Sequence, residues 1–198
     1  MKLYTNAASP FARKCRVVAY ELNLKLEEIR TLPMQEPDFR RINPLGKIPA
    51  LILDDGSVLI DSPVICEYLN AAGDGTFFPA NSIWKEDARR WKILGLQALG
   101  DGLADAAVAW IIEGRQTPVN AAMRARHMEA VTATLDALAR VKFGDEVSIG
   151  EIAVACALGY LDFRLPDLDW KSSRPILAGW YAKFCEYPAM KATAPASP

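Results

Sequence analysis

Twice near the start of the chain a short strand-like run is followed by serine and then proline, at Ser9-Pro10 and at Ser62-Pro63. This repeated device constrains the fold more than any other feature. A serine hydroxyl accepts a first-turn N–H of a helix, and proline at the first helical position brings a helical φ and no orphan donor. Each pair therefore predicts a helix start. After Ser9, Phe11, Cys15, Val18 and Leu22 recur at helical spacing, and Arg13, Lys14 and Arg16 fall on the more exposed positions. KLYT (2–5) before that helix and LEEIRT (26–31) after it read as strands. Two strands joined by one helix make a right-handed crossover and lie parallel.

PDFRRI predicts a short helix, and NPLGK breaks the chain ahead of Pro49. In ALILDDGSVLI two apolar runs flank an Asp-Asp-Gly turn, the pattern of a hairpin. The next helix takes Ser62 as N-cap and Pro63 at its first position, turns Val64, Ile65, Tyr68 and Leu69 to the sheet, and ends at Gly73. Strand, helix, strand, helix, hairpin, helix is an order few small folds accommodate, and an α/β thioredoxin-like fold fits it best.

GDGTFFPANS (73–82) has the composition of a linker, and beyond it strand signals all but vanish. The reading is a first domain over 1–79 and an all-α helical bundle over 86–198. Trp84, Ala88, Trp91, Gly95, Ala98, Gly102, Ala106 and Trp110 trace one helical stripe ending near Gly114, whose glycines are expected to let neighbours approach closely. A second helix carries Met128, Val131, Leu135 and Leu138. A third opens at Ser148, where Ser148 and Glu151 have capping-box spacing, and its IAVACALGYL is apolar on all sides, the mark of a buried centre. The last, with Ile176, Leu177, Trp180 and Phe184, stops at Pro188, leaving KATAPASP as a loose tail.

With 23 basic and 24 acidic residues the net charge is -1, so no long-range field gathers phosphate backbones or anionic lipid, and neither nucleic acid nor membrane is an expected partner. No apolar run has bilayer-spanning length and MKLYTNAASPF lacks the apolar core of a leader, so a cytoplasmic location is expected. The four cysteines, Cys15, Cys66, Cys156 and Cys185, are far apart, which suits neither a zinc site nor a disulfide scaffold, and no metal is expected. The single histidine, His127, sits on a polar helical stretch and supports no serine-hydrolase triad.

Three turns of the first domain open on one side of a thioredoxin-like sheet, and together they describe a slot for a short peptide. The Ile48-Pro49 bond is of the one type in which cis costs only ~0.5–1 kcal/mol; a cis bond there turns the amide and carbonyl of Ile48 outward for a peptide-like ligand, whereas an ordinary trans turn does not. Asp61 and Ser62 sit at a helix start that favours a carboxylate on Ser62, with Asp61 able to receive an ammonium; plain capping is the alternative, and the two coexist without conflict. Ser9 is in the same position, as helix cap or as hydrogen-bond donor to a ligand anion.

SPFARKCRVV, NPLGKIPALILDDG, DSPVICEYL and SIGEIAVACALGYLD, in this order and followed by RPILAGWYAKFCEYPAMKATAP, resemble the bacterial cytosolic glutathione transferases over nearly the whole chain. The resemblance implies the two-domain fold of that family, with glutathione as co-substrate. Its γ-glutamyl end lies at Asp61 and Ser62, its cysteinyl backbone on Ile48 beside Pro49, and its sulfur at Ser9. It also implies a contact from Lys47, for which a solvated loop lysine is the alternative. A second pocket, for a small hydrophobic electrophile, is expected from Phe11 together with Ala106 to Trp110, residues that equally suit a core. A homodimer is implied by the family alone.

A free thiol with pKa ~8.5 is only a few per cent ionised at neutral pH, so activation means stabilising the thiolate. Lowering the pKa by about two units takes ~2.7 kcal/mol, within reach of one hydroxyl and a helix N-terminus acting together. The resemblance implies that the activating residue is a tyrosine, serine or cysteine; Tyr4 lies early, inside the first strand, and Cys15 over a turn into the helix, so Ser9 is the better choice, with Asn6 or the Phe11 amide able to share its role. Glu151 stands where relatives usually have aspartate, a change a longer side chain tolerates. Two other readings stay open: a non-catalytic carrier of the same fold, and a redox enzyme working through Cys15.

Overall fold

Local chemistry places the first elements where the chain allows them. The structure is a computed structural model and describes residues 1–79, 88–144 and 146–197. β1 (Lys2–Thr5) leads to α1 (Pro10–Glu21), with Ser9 as N-cap accepting from the Ala12 amide at 3.2 Å. β2 (Glu27–Arg30) and a 3-10 turn at Pro37–Arg41 follow. β3 (Ala50–Ile52) and β4 (Val58–Leu59) form the hairpin, and α2 spans Ser62–Ala72 with Gly73 as its C-cap. The sheet order is β2-β1-β3-β4, with β1 parallel to β2 and β3 antiparallel to both its neighbours. Leu3, Ala12, Cys15, Val18, Leu51, Ile65, Cys66 and Leu69 are fully buried, so this core lies where α1 and α2 pack together over the sheet.

The cap of α2 differs from expectation. Asp61 holds it, its carboxylate accepting from the Ser62 amide, so Ser62 is the first helical residue and Pro63 the second. Aspartate and serine are equally good caps, and proline is tolerated anywhere in the first turn. With the helix begun one residue earlier, its inner face is Ile65, Cys66 and Leu69, and Val64 stands exposed.

Arg13 and Lys14 also depart from expectation, being 3% and 1% exposed. What covers Arg13 is the end of the chain. By contacts the molecule divides into Met1–Arg90 with Pro188–Pro198, and Trp91–Tyr187. Pro188 does not end the structure but opens a short helix, α7 (Pro188–Ala192), which packs on α1. Arg13 donates to the Met190 carbonyl at 3.0 Å and to Thr193 Oγ1 at 3.4 Å, and the Ala196 amide reaches the Ala7 carbonyl at 3.3 Å. The tail is thus tied down, by partners too far away in sequence for periodicity to reveal. Arg16, on the flank of α1, pairs with Glu28 at 2.9 Å.

The helical unit contains α3 (Ala88–Glu113) from Trp91 onward, α4 (Ala121–Leu138), α5 (Ile149–Arg164) and α6 (Pro175–Phe184). α5 is its centre: apart from Glu151 every residue from Ile149 to Leu161 is buried, and Ser148 and Glu151 form the expected capping box. α3 buries a different face from the one expected. Gln97, Gly100, Leu103, Ala104 and Ala107 point inward, whereas Trp91 is 66% exposed and Gly95, Ala98 and Gly102 face outward. The close approach belongs to Gly100, where an added Cβ would lie 2.6 Å from the Val154 nitrogen of α5; among the described residues an added Cβ at Gly95 or Gly102 would meet nothing within 4 Å. α4 buries Val131, Leu135 and Leu138 as expected, and α6 buries Leu177 and Phe184 but leaves Ile176 at 78% exposure. Trp84, the whole Ala80–Ser82 end of the expected linker, residues 86–87 at the start of the expected helical domain, and Asp145 lie outside the described residues.

Candidate functional site

Strand directions bring the three turns together. β1 and β4 both run antiparallel to β3, so the helices that follow them, α1 and α2, start at the same end of the sheet. Ala50, the first residue of β3, pairs with Tyr4 near the end of β1, so Ile48-Pro49 lies at that end as well. Ser9, Ile48, Pro49, Asp61 and Ser62 therefore share one edge of the first unit, with Lys47 exposed beside them.

The turn before α1 is held by Asn6. Its carbonyl accepts from the Ser9 amide at 3.2 Å, its Oδ1 from the Ala8 amide at 3.1 Å, and its Nδ2 donates to the Thr31 carbonyl at 3.3 Å. Ser9 Oγ is occupied as acceptor for Ala12, and its own proton is free to be donated outward. Pro10 has no N–H and the Ala12 and Arg13 amides are bound to Ser9, so among the described residues the Phe11 amide is the unpaired donor of this first turn. A half-buried hydroxyl and a free amide at the positive end of a helix suit an anion.

The Ile48-Pro49 peptide is cis, and the N–H and C=O of Ile48 make no hydrogen bond among the described residues. Asn43 Nδ2 fixes the approach by donating to the Lys47 carbonyl at 2.6 Å. At α2 the exposed Asp61 carboxylate caps the helix, and the Ile65 amide binds the Asp61 carbonyl at 3.0 Å. Ser62 is fully buried and its Oγ has no partner among the described residues, an unmet capacity that normally costs ~1–3 kcal/mol. Its carbonyl takes a weak contact from Cys15 Sγ at 3.9 Å, and Cys15 in turn lies 3.7 Å from Cys66 Sγ. Packing with thiols thus joins the start of α2 to the second turn of α1.

Phe11 is half-buried in the first unit, and Ala106 and Trp110 are half-buried on α3 in the second. The Arg124 guanidinium lies 3.7 Å over the Trp110 ring. Tyr4 packs on Phe39 at 5.5 Å and borders a cleft of about 440 Å³ with residues 35–39 and Ile42, which includes none of the expected site residues. The sequence reading undervalued Asn6, whose three bonds fix the Ser9 turn; an asparagine between a strand and a capped helix is the signal that points to it.

A thioredoxin-like sheet followed by a helical unit, with two capped helices and a proline-led strand sharing a sheet end, defines the architecture of the glutathione transferases. Residues 8–72 match the family model "Glutathione S-transferase, N-terminal domain" and residues 121–183 the C-terminal one. The chain is 31% identical to the uncharacterized GST-like protein YibF of Escherichia coli (strain K12), over 89% of this chain and 90% of that one. Among solved structures it is similar to a glutathione S-transferase of Methylobacillus flagellatus KT with GSH bound (35% identity, TM-score 0.84, 98% and 99% of the two chains). It is also similar to a glutathione transferase family member of Pseudomonas fluorescens Pf-5 with bound glutathione (35%, 0.82, 99% of each). The chain belongs to the glutathione S-transferase family.

Proposed function

We propose that the protein binds glutathione at the shared sheet end, ionises its thiol and conjugates it to small hydrophobic electrophiles. The observation that carries this reading is the buried, partnerless hydroxyl of Ser62 beside the exposed Asp61 carboxylate, at the same edge as the free Ile48 amide and Ser9. An amino acid's carboxylate satisfies Ser62 and the α2 N-terminus, and its ammonium pairs with Asp61. The cysteinyl backbone pairs with Ile48 as an added strand, and Lys47 stands near enough in sequence to meet a further carboxylate. The sulfur then faces the Ser9 hydroxyl and the Phe11 amide. Both bonds strengthen as negative charge develops on sulfur, which lowers the thiol pKa and raises the thiolate fraction. The two relatives solved with glutathione support the same reading.

Phe11, next but one to Ser9 and half-buried, offers the electrophile an apolar surface, and the protein works as a homodimer in a reducing, cytoplasmic setting that suits its four free cysteines. A redox role through Cys15 has less support, since that thiol is fully buried and engaged with Cys66. The test is Ser9→Ala, with the thiolate absorbance of bound glutathione followed against pH and conjugation rates measured on a panel of electrophiles. The variant is expected to keep most of its affinity for glutathione, to titrate the bound thiol at higher pH, and to lose about tenfold or more in turnover. Retention on immobilised glutathione without turnover of any electrophile by the native protein points instead to a carrier.

A further inference from the structure

The segment that returns to α1 grips the chain on both sides of Ser9. Ala7, just before it in the same turn, accepts at its carbonyl from the Ala196 amide at 3.3 Å, the one partner that carbonyl has among the described residues. Arg13, one helical turn after Ser9, donates to the Met190 carbonyl at 3.0 Å and to Thr193 Oγ1 at 3.4 Å. Its Nη1 is buried without a partner among the described residues, so these two bonds are what hold the guanidinium. Thr193 is itself fixed, its hydroxyl donating to the Ala189 carbonyl at 2.7 Å. The Arg13 amide in turn donates to the Ser9 carbonyl at 3.0 Å, which joins this grip to Ser9 directly.

Residues 6–8 belong to neither β1 nor α1. A group carried next to such a loop is aimed less precisely than one on a strand or helix, and depends on whatever pins the loop. The Asn6 side chain pins this one to Thr31, and the Ala196 amide is a second pin from a segment far along the chain. Ala189, Met190 and Thr193 are buried where α7 packs on α1, so the second pin stands on a fixed base. All of these residues belong to the first unit.

We propose that residues 189–196 are a positioning segment of the thiol site, holding Ala7 and Arg13 so that the Ser9 hydroxyl and the Phe11 amide stay aimed at the sulfur of bound glutathione. The inference rests on the glutathione reading and adds to it residues that act through Ser9. Hydrogen bonds to a developing thiolate strengthen with charge, so an aim that drifts costs ionisation more than it costs binding of the neutral thiol.

The test compares Ala196→Pro, which has no N–H to give Ala7, with Ala196→Ser, which keeps it. Ala196 is exposed, so neither change disturbs the core. In the full-length protein the thiolate absorbance of bound glutathione is followed against pH, and glutathione affinity is measured by calorimetry. Ala196→Pro is expected to lower the ionisation constant of the bound thiol about two- to tenfold, the effect of one hydrogen bond, with Kd for glutathione held within about twofold. Ala196→Ser is expected to match the native protein. Thr193→Val, which takes the hydroxyl from Arg13 and from Ala189, is expected to move the titration in the same direction as Ala196→Pro. Native titration in Ala196→Pro, or an equal change in Ala196→Ser, overturns the proposal and leaves the glutathione reading standing. So does weaker glutathione binding with unchanged ionisation, the mark of a merely structural role. If the native protein leaves the bound thiol titrating as in free glutathione, the Ser9 reading falls, and the proposal falls with it.

Discussion

Gly100 and Gly102 lie two residues apart on α3, and replacing each with alanine should move stability in opposite directions. At Gly100 the new Cβ meets Val154 N at 2.6 Å, Ala153 C at 2.7 Å and Ala153 Cβ at 3.0 Å. Two of these are backbone atoms in the most buried helix of its unit, which cannot turn aside as a flexible side chain can. Overpacking of this kind costs about 3 kcal/mol, and the better helix propensity of alanine returns ~1, for a net loss of roughly 2 kcal/mol. At Gly102 the new Cβ meets nothing within 4 Å among the described residues, so only the propensity gain of ~1 kcal/mol remains. For a chain of 198 residues, 1 kcal/mol corresponds to about 2–4 °C in Tm. Calorimetric melting should thus show Gly100→Ala about 4–8 °C below the native protein and Gly102→Ala about 2–4 °C above it. Two shifts of the same sign, or a Gly100 variant as stable as the native protein, would refute the close packing of α3 on α5.

Burial raises the Tyr160 phenol above its ordinary 10.0, so the folded state keeps a proton that the unfolded chain releases. Stability is unaffected below about pH 10 and falls as pH rises through the folded value; urea midpoints across alkaline pH should show a flatter decline for Tyr160→Phe. Ser148→Ala removes the capping box of α5 and should cost about 1 kcal/mol in denaturant unfolding, an effect absent if the cap is idle. Arg13→Leu breaks two bonds to the end of the chain and should cost ~1.5–3 kcal/mol; limited trypsin digestion should cut at Lys191 sooner than in the native protein.

Features encoded by neighbours in sequence were legible. The Ser9-Pro10 start, the Asp-Asp-Gly hairpin, the Gly73 stop and the Ser148–Glu151 box each rest on residues within one turn of one another, and each stands in the structure. Features decided by distant packing were not. α3 has alanine, glycine, leucine or tryptophan on every side, so its pattern names no single inner face, and Trp91, one of the residues of the expected stripe, stands in solvent. Arg13 looks like a surface residue until a segment 177 positions away covers it. Within the candidate site, the two helix starts and the turn at Ile48-Pro49 were legible from proline and cap chemistry. The part played by Asn6 emerges only once Thr31 is seen beside it.

The return of residues 188–198 to the first unit bears on how the molecule is made. A ribosome releases the sheet and α1 long before it delivers α7, so the growing chain must carry the Arg13 side of α1 uncovered while the whole helical unit is synthesised. The unit begun first is finished last. Premature termination anywhere in the helical half therefore leaves both parts of the protein incomplete at once.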